Sequence, residues 1–310
     1  MPRLRRVDPC SCGWQRRRRG RGFAYLDAGG TRLAPEDIDR CKALAIPPAW
    51  VDVWICPHPN GHIQAVGTDE AGRRQYLYHP QWREERDREK FDRVLDFGRS
   101  LPAARAVAAE HLGLPGWPRE RALAVAFRFL DLRGLRIGGG NYEGVGLATL
   151  RRDHVSTRGG VIRLCFRGKA GKDHDVVLTD PELLIAVRSL LRRRGGGPEL
   201  FAYRHDGQWR DVTSADINAY LTEIGVAGTA KDFRTWQAGL RVLSRLTQAD
   251  GSKKAVTEAM RDAAEHLGNT PAMAKNSYVD PRLVQAYLDG SLPEAQDVRE
   301  WEPALLEVLG

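Results

Sequence analysis

Lys231-Asp-Phe-Arg234-Thr-Trp, Gly268-Asn269-Thr270-Pro271 and Ser277-Tyr278 place a tyrosine just after a short Pro-initiated helix, with an arginine and an asparagine upstream. These residue types are equipped for covalent attack on a phosphodiester. A phenol with a reference pKa of about 10 becomes a nucleophile near neutrality only where cations favour the phenolate or stabilise the transition state. Arg136, Lys169 and Arg234 are candidate cations, and Asn269 is a neutral hydrogen-bond donor. They are spread along the chain, as residues of an assembled site usually are.

Blander readings compete at several positions. Lys172 lies close enough to Lys169 to rival it as a proton donor, and Tyr287 rivals Tyr278 but sits in an apolar helical stretch with Leu283 and Leu288, where a core role is expected. His174, His205 and His266 read as surface or packing residues. Trp50, Trp54 and Tyr76 are either nucleic-acid contacts or core residues at strand ends.

The elements that must position these groups change in character along the chain. Val51, Val53 and Ile55 alternate, Asn60-Gly61 is a hairpin signal and Ile63-Gln64-Ala65-Val66 continues the pattern, so residues 1–79 read as a small β-rich domain. The basic run Arg16–Arg19 before Phe23-Ala24-Tyr25 reads as a solvated arm, or as a phosphate-contacting one beside a nucleic-acid groove. Residues 80–310 read as mainly helical. Leu123, Phe127 and Leu130 form a stripe on a helix that stops near Gly134, just before Arg136. Ile162, Leu164 and Phe166 alternate into a turn that should project Lys169 from a hairpin, with Val176-Val177-Leu178 as the return strand. Asp180-Pro181, Thr270-Pro271 and Asp280-Pro281 are helix starts, Thr213 with Asp216 is a capping box, and Tyr278 falls between two short helices. The fold class expected is α+β.

The chain has 310 residues and a net charge of +8, carried mostly by arginine. Arginine donates paired hydrogen bonds to phosphate oxygens, so the balance permits a nucleic-acid partner, although arginine-rich codon usage accounts for it equally well. No apolar run is long enough to span a bilayer, and the basic start lacks an apolar segment, so neither a membrane partner nor a secretory signal is expected. A cytoplasmic protein is the expectation. Cys10-Ser-Cys12 lacks a second Cys or His pair at zinc spacing, so the five cysteines are expected to be free thiols, with no metal.

Further stretches complete a pattern: Ile46-Pro-Pro-Ala-Trp50 with Asp52-Val-Trp-Ile55, Gly72-Arg-Arg-Gln-Tyr76, Leu135-Arg136-Ile-Gly, Gly146-Leu-Ala-Thr-Leu150 and Phe166-Arg-Gly-Lys169. With the motifs around Arg234, Asn269 and Tyr278, the chain resembles the type IB DNA topoisomerases of the compact bacterial and poxvirus kind, whose catalytic core is shared with the tyrosine recombinases. The resemblance implies Tyr278 as the nucleophile that forms a 3′-phosphotyrosyl link. It implies Arg136 and Arg234 as the phosphate clamp, Lys169 rather than Lys172 as the acid for the leaving 5′ oxygen, and Asn269 as a donor to a phosphate oxygen where many relatives have His. It further implies a monomer that clamps double-stranded DNA between the two domains, at the nucleoid, without ATP, metal or other cofactor. One departure is the stretch from Ile137 to Val145, which carries three consecutive glycines and is shorter than the family pattern. It keeps a catalytically impaired DNA-binding protein as an alternative, beside a recombinase-like strand transferase.

Overall fold

A computed structural model of the chain describes residues 3–139 and 144–310, which divide into two compact units between Lys90 and Phe91. The first is built on an antiparallel sheet of β1 (Trp14–Arg19), β2 (Gly22–Leu26), β3 (Val51–Ile55), β4 (Ile63–Thr68) and β5 (Arg74–Tyr78) in the order β2-β1-β3-β4-β5, with α1 (Pro35–Ala43) between β2 and β3. Tyr25, Leu33, Cys41, Ile46, Val53, Ile55 and Ala65 form its core. The basic run Arg16–Arg19 is no solvated arm: it is most of β1, paired with β2 on one side and β3 on the other. Arg16 is buried and donates to the carbonyls of Ile46, Pro47 and Trp50, at 2.8, 2.9 and 2.7 Å, which satisfies a cation that the strand's pleat turns inward. Arg17, Arg18 and Arg19 remain exposed.

The unit boundary falls within α2 (Pro80–Leu112), which is followed by α3 (Arg119–Arg133). Leu123, Phe127 and Leu130 are fully buried as expected, but so are Ala122, Ala124, Val125, Ala126 and Phe129, making α3 a central helix rather than an amphipathic one. It ends at Gly134, whose left-handed backbone (φ 53°) turns the chain into the extended segment that carries Arg136. A three-stranded sheet follows, with β7 (Ile162–Arg167) between β6 (Val155–Ser156) and β8 (Asp173–Leu178). Then come α4 (Pro181–Arg192), the hairpin β9 (Ala202–His205) and β10 (Gln208–Asp211), and α5 (Ser214–Glu223).

The C-terminal helices are α6 (Asp232–Leu246), α7 (Lys253–Leu267), α8 (Pro271–Ser277), α9 (Pro281–Leu288) and α10 (Val298–Leu309). The expected caps are in place: Asp180 accepts from the Leu183 amide at 2.9 Å, Thr270 from Met273 at 3.2 Å and Asp280 from Arg282 at 2.8 Å. Phe97, Phe127, Phe233 and Trp236 pack edge-on at the centre of this unit. Beside them, Arg105 bridges Asp131 and Glu302 at 2.8 and 2.6 Å, joining α2, α3 and α10. No helix among the described residues is long and apolar enough to cross a membrane. The cysteines among them are all free thiols, Cys41 and Cys56 buried and Cys10, Cys12 and Cys165 exposed.

Candidate active site

Each candidate side chain is held by a local device. Arg136 leaves the Gly134 turn on an extended segment fixed from behind, because the Leu147 and Ala148 amides donate to the carbonyls of Arg136 and Ile137 at 2.8 and 2.7 Å. Arg234 sits in the first turn of α6 and is 4% exposed; its Nη1 donates to the Gly134 carbonyl at 2.6 Å and its Nη2 to the Leu267 carbonyl at 3.0 Å. Gly268, left-handed at φ 63°, ends α7 and delivers Asn269, and the Tyr278 amide closes α8 by donating to the Ala274 carbonyl at 3.0 Å. Lys169 stands at the turn of the β7–β8 hairpin, closed by the Gly168 amide donating to the Lys172 carbonyl at 2.8 Å.

These elements converge. Arg136, Lys169, Arg234 and Tyr278 line one cavity of about 340 Å³, together with Lys231 and the glycines 138, 144 and 146. Asn269 lies directly behind them: its Oδ1 accepts from Arg136 Nη2 at 2.5 Å and from Arg234 Nη2 at 3.3 Å. Two guanidiniums on that atom fix the amide's orientation, since an NH₂ group there would face donors only. Asn269 Nδ2 is consequently the end left over, and it is buried without a hydrogen-bond partner among the described residues. A buried donor in that state is costly unless a ligand oxygen completes it.

Tyr278 is 6% exposed, with the Arg234 guanidinium carbon 5.0 Å from the centre of its ring. Burial pushes the phenol up. The charge and hydrogen bond of Arg234, with the charges of Arg136 and Lys231, pull it down by more, and the net shift is below the ordinary value of 10.0. The site thus stabilises the phenolate relative to a free phenol while keeping the ring largely buried. Burial lowers Arg234 itself, with Arg136 in the same sense and Tyr278 opposed.

The rivals fall elsewhere. Tyr287 is buried in the core beside Val279 and Leu267, and its hydroxyl donates to the Ser252 carbonyl at 3.4 Å. Lys172 is spent on structure, its Nζ donating to the Asn269 carbonyl at 3.0 Å. His205 is exposed, whereas His266 is largely buried against Arg133, at 3.1 Å, and burial lowers it to about 3. Tyr76 and Tyr78 are exposed and stacked on β5, while Trp50 and Trp54 are half-buried.

Lys231 is the cation that the sequence reading overlooked. Its signal was its place three residues before Arg234, one helical turn away at the start of α6. Glycines 138 and 144, in the stretch that departs from the family pattern, line this cavity. A Cβ on Gly144 would lie 2.5 Å from the carbonyl carbon of Gly168, and one on Gly138 2.6 Å from the Gly146 Cα, so they permit close backbone approach at the cavity wall. The middle of the shortened stretch, residues 140–143, lies outside the described residues.

The chain is similar to known proteins along most of its length. The profile of the catalytic core of eukaryotic DNA topoisomerase I matches residues 79–295, and that of the N-terminal domain of bacterial DNA topoisomerase IB matches residues 22–69. The chain is 30% identical over 284 residues to DNA topoisomerase 1B of Acanthamoeba polyphaga mimivirus, covering 86% of this chain and 84% of that protein. It is 23% identical over 239 residues to DNA topoisomerase 1B of Vaccinia virus (strain Copenhagen), covering 72% of each. Among solved structures, the XerH site-specific recombinase bound to palindromic difH aligns with a TM-score of 0.37 and 16% identity over 71% of this chain and 58% of that one. With the core profile spanning most of the chain and the mimivirus protein matched along most of its length, the chain belongs to the DNA topoisomerase IB family.

Proposed function

We propose that the protein relaxes supercoiled duplex DNA by transient cleavage of one strand, with Tyr278 as the nucleophile and without ATP or a divalent metal. The observation that carries this reading is the convergence of Tyr278, Arg136, Lys169 and Arg234 on one cavity, backed by Asn269 Nδ2, which has no partner among the described residues. The Tyr278 oxygen attacks the scissile phosphorus, forming an O–P bond as the P–O5′ bond breaks. Lys169 gives a proton to the departing 5′ oxygen, leaving a 3′-phosphotyrosine and a free 5′-hydroxyl. Arg136 and Arg234 neutralise charge developing on the non-bridging oxygens, and Asn269 Nδ2 donates to one of them. Religation is the reverse reaction, and it needs no nucleotide because the phosphotyrosine conserves the energy of the broken bond.

The cavity's described lining contains four cations and no carboxylate, a set suited to holding phosphate directly rather than through a divalent ion. The exposed arginines of β1 and the exposed Tyr76 and Tyr78 give the first unit a surface fit for the DNA backbone and bases. On this reading a monomer clamps the duplex and works on nucleoid DNA in the cytoplasm. Plasmid relaxation in EDTA without nucleotide tests the proposal: both positively and negatively supercoiled substrates should relax, and a strict need for Mg²⁺ or ATP would refute it.

A further inference from the structure

His174 lies on β8 directly opposite Phe166 on β7, with the two rings stacked at 4.8 Å and an interplanar angle of 7°. Its edge reaches two glycines from different parts of the chain. A Cβ on Gly168, the residue before Lys169, would lie 2.6 Å from His174 Nε2; a Cβ on Gly268, the residue before Asn269, would lie 2.1 Å from His174 Cε1. The imidazole therefore fills the space that side chains would take at both positions. Gly268 needs to be glycine for its left-handed backbone in any case, but Gly168 has an extended backbone (φ −89°, ψ −162°) open to any residue. What excludes a side chain at Gly168 is the histidine.

Lys172 ties the same two turns together from the hairpin side, its carbonyl accepting from the Gly168 amide and its Nζ donating to the Asn269 carbonyl. The turn that carries Lys169 and the turn that carries Asn269 thus meet across one imidazole. Burial lowers the affinity of His174 for a proton, and Lys172, Arg234 and Arg136 lower it further, so the ring sits there neutral and adds no charge to the phosphate site.

We infer that His174 is a positioning residue of the cleavage reaction: its ring is a wedge that sets the Lys169 hairpin at a fixed distance from the Asn269 turn. The inference rests on Lys169 being the acid for the 5′ oxygen. It differs from a structural role in its signature, because a misplaced acid hurts only a leaving group that needs a proton.

The test is single-turnover cleavage of a duplex with either the normal 5′ oxygen or a 5′-bridging sulfur at the scissile phosphate, using wild type, Lys169→Ala, His174→Ala, Gly168→Ala and the His174→Ala/Gly168→Ala double variant. Displacing an acid by roughly 1 Å costs about 10²-fold, so His174→Ala should slow the oxygen substrate by that order. Sulfur should restore most of the loss, as it should for Lys169→Ala. Gly168→Ala should also slow the oxygen substrate, and the double variant should be no slower than the worse single one, because removing the ring frees the space for the new methyl group. If sulfur rescues Lys169→Ala but not His174→Ala, or if the two single losses add in the double variant, the wedge is refuted while Lys169 keeps its role. If sulfur fails to rescue Lys169→Ala, the acid assignment falls and the wedge falls with it. Circular dichroism and DNA affinity like those of wild type identify variants that have kept their fold.

Discussion

At the scale of single residues, the site is a group of cations arranged around a phenol, with one amide turned to suit them. Because Asn269 Oδ1 is occupied by two guanidiniums, only its NH₂ end can serve a phosphate oxygen. Asn269→Ala should lower the single-turnover cleavage rate by about 10² to 10³, the usual cost of one preorganised donor, whereas Asn269→His should retain substantial activity. Equal rates for wild type and Asn269→Ala would remove the residue from the chemistry. The pH dependence follows from the sign of the Tyr278 shift. With the phenol held below 10.0, cleavage limited by chemistry should rise with pH as phenolate accumulates and level off before pH 10. Lys231→Ala removes one of the charges that lower the phenol and should move that plateau to higher pH; a plateau that does not move would show the charge to be inert. The side chains that the fold brings together were legible in the sequence, because their motifs are local and ordered along the chain. Residue type and spacing give Lys169 and Lys172 the same chemistry, and only the family resemblance prefers Lys169; the fold adds that Lys172 is engaged with the carbonyl of Asn269, far along the chain.

At the scale of elements, the site depends on how α3 and α6 are seated, since Arg234 hangs from the carbonyl that follows α3. Gly98 in α2 is part of that seating. A methyl group there would come within 2.3 Å of the Trp236 ring, two residues from Arg234 on α6. Alanine ordinarily gains about 1 kcal/mol over glycine inside a helix, but overpacking a tight core costs about 1 to 3 kcal/mol. The clash should win, so Gly98→Ala should lower the midpoint of thermal unfolding; an unchanged or raised midpoint would show that the ring yields freely. Caps and strand alternation made most of these elements readable: Asp180, Thr213, Thr270 and Asp280 each begin the helix that the sequence announces. The β9–β10 hairpin and α10 escaped the reading. β9 and β10 are four residues each, too short to show a period, and α10 carries Pro303 in its interior, which reads locally as a break. The strand identity of Arg16–Arg19 was hidden for a different reason: a run of like charges resembles a solvated arm until β2 and β3 are seen to pair with it.

At the scale of the whole molecule, charge and protonation govern behaviour. A net charge of +8 with arginine contacts to phosphate predicts that DNA affinity falls steeply between low and moderate salt through counterion release, and an affinity indifferent to salt would argue against a phosphate-based grip. Stability should also depend on acid. His266 is lowered from 6.5 to about 3 by burial, so between these values the unfolded chain binds the proton that the folded one refuses. Unfolding free energy should therefore fall as pH drops below 6.5 and continue to fall toward pH 3, and His266→Gln should flatten that part of the curve; a variant with the wild-type slope would assign the effect to other groups. The chemistry turns on the covalent role of Tyr278. Its most direct measurement is to denature the protein during reaction with duplex DNA in EDTA, digest the adduct and identify the modified residue and the DNA end by mass spectrometry. A single adduct is expected, Tyr278 esterified to a 3′-phosphate; attachment at Tyr287, linkage to a 5′ end, or adduct formation undiminished in Tyr278→Phe would overturn the covalent role of Tyr278.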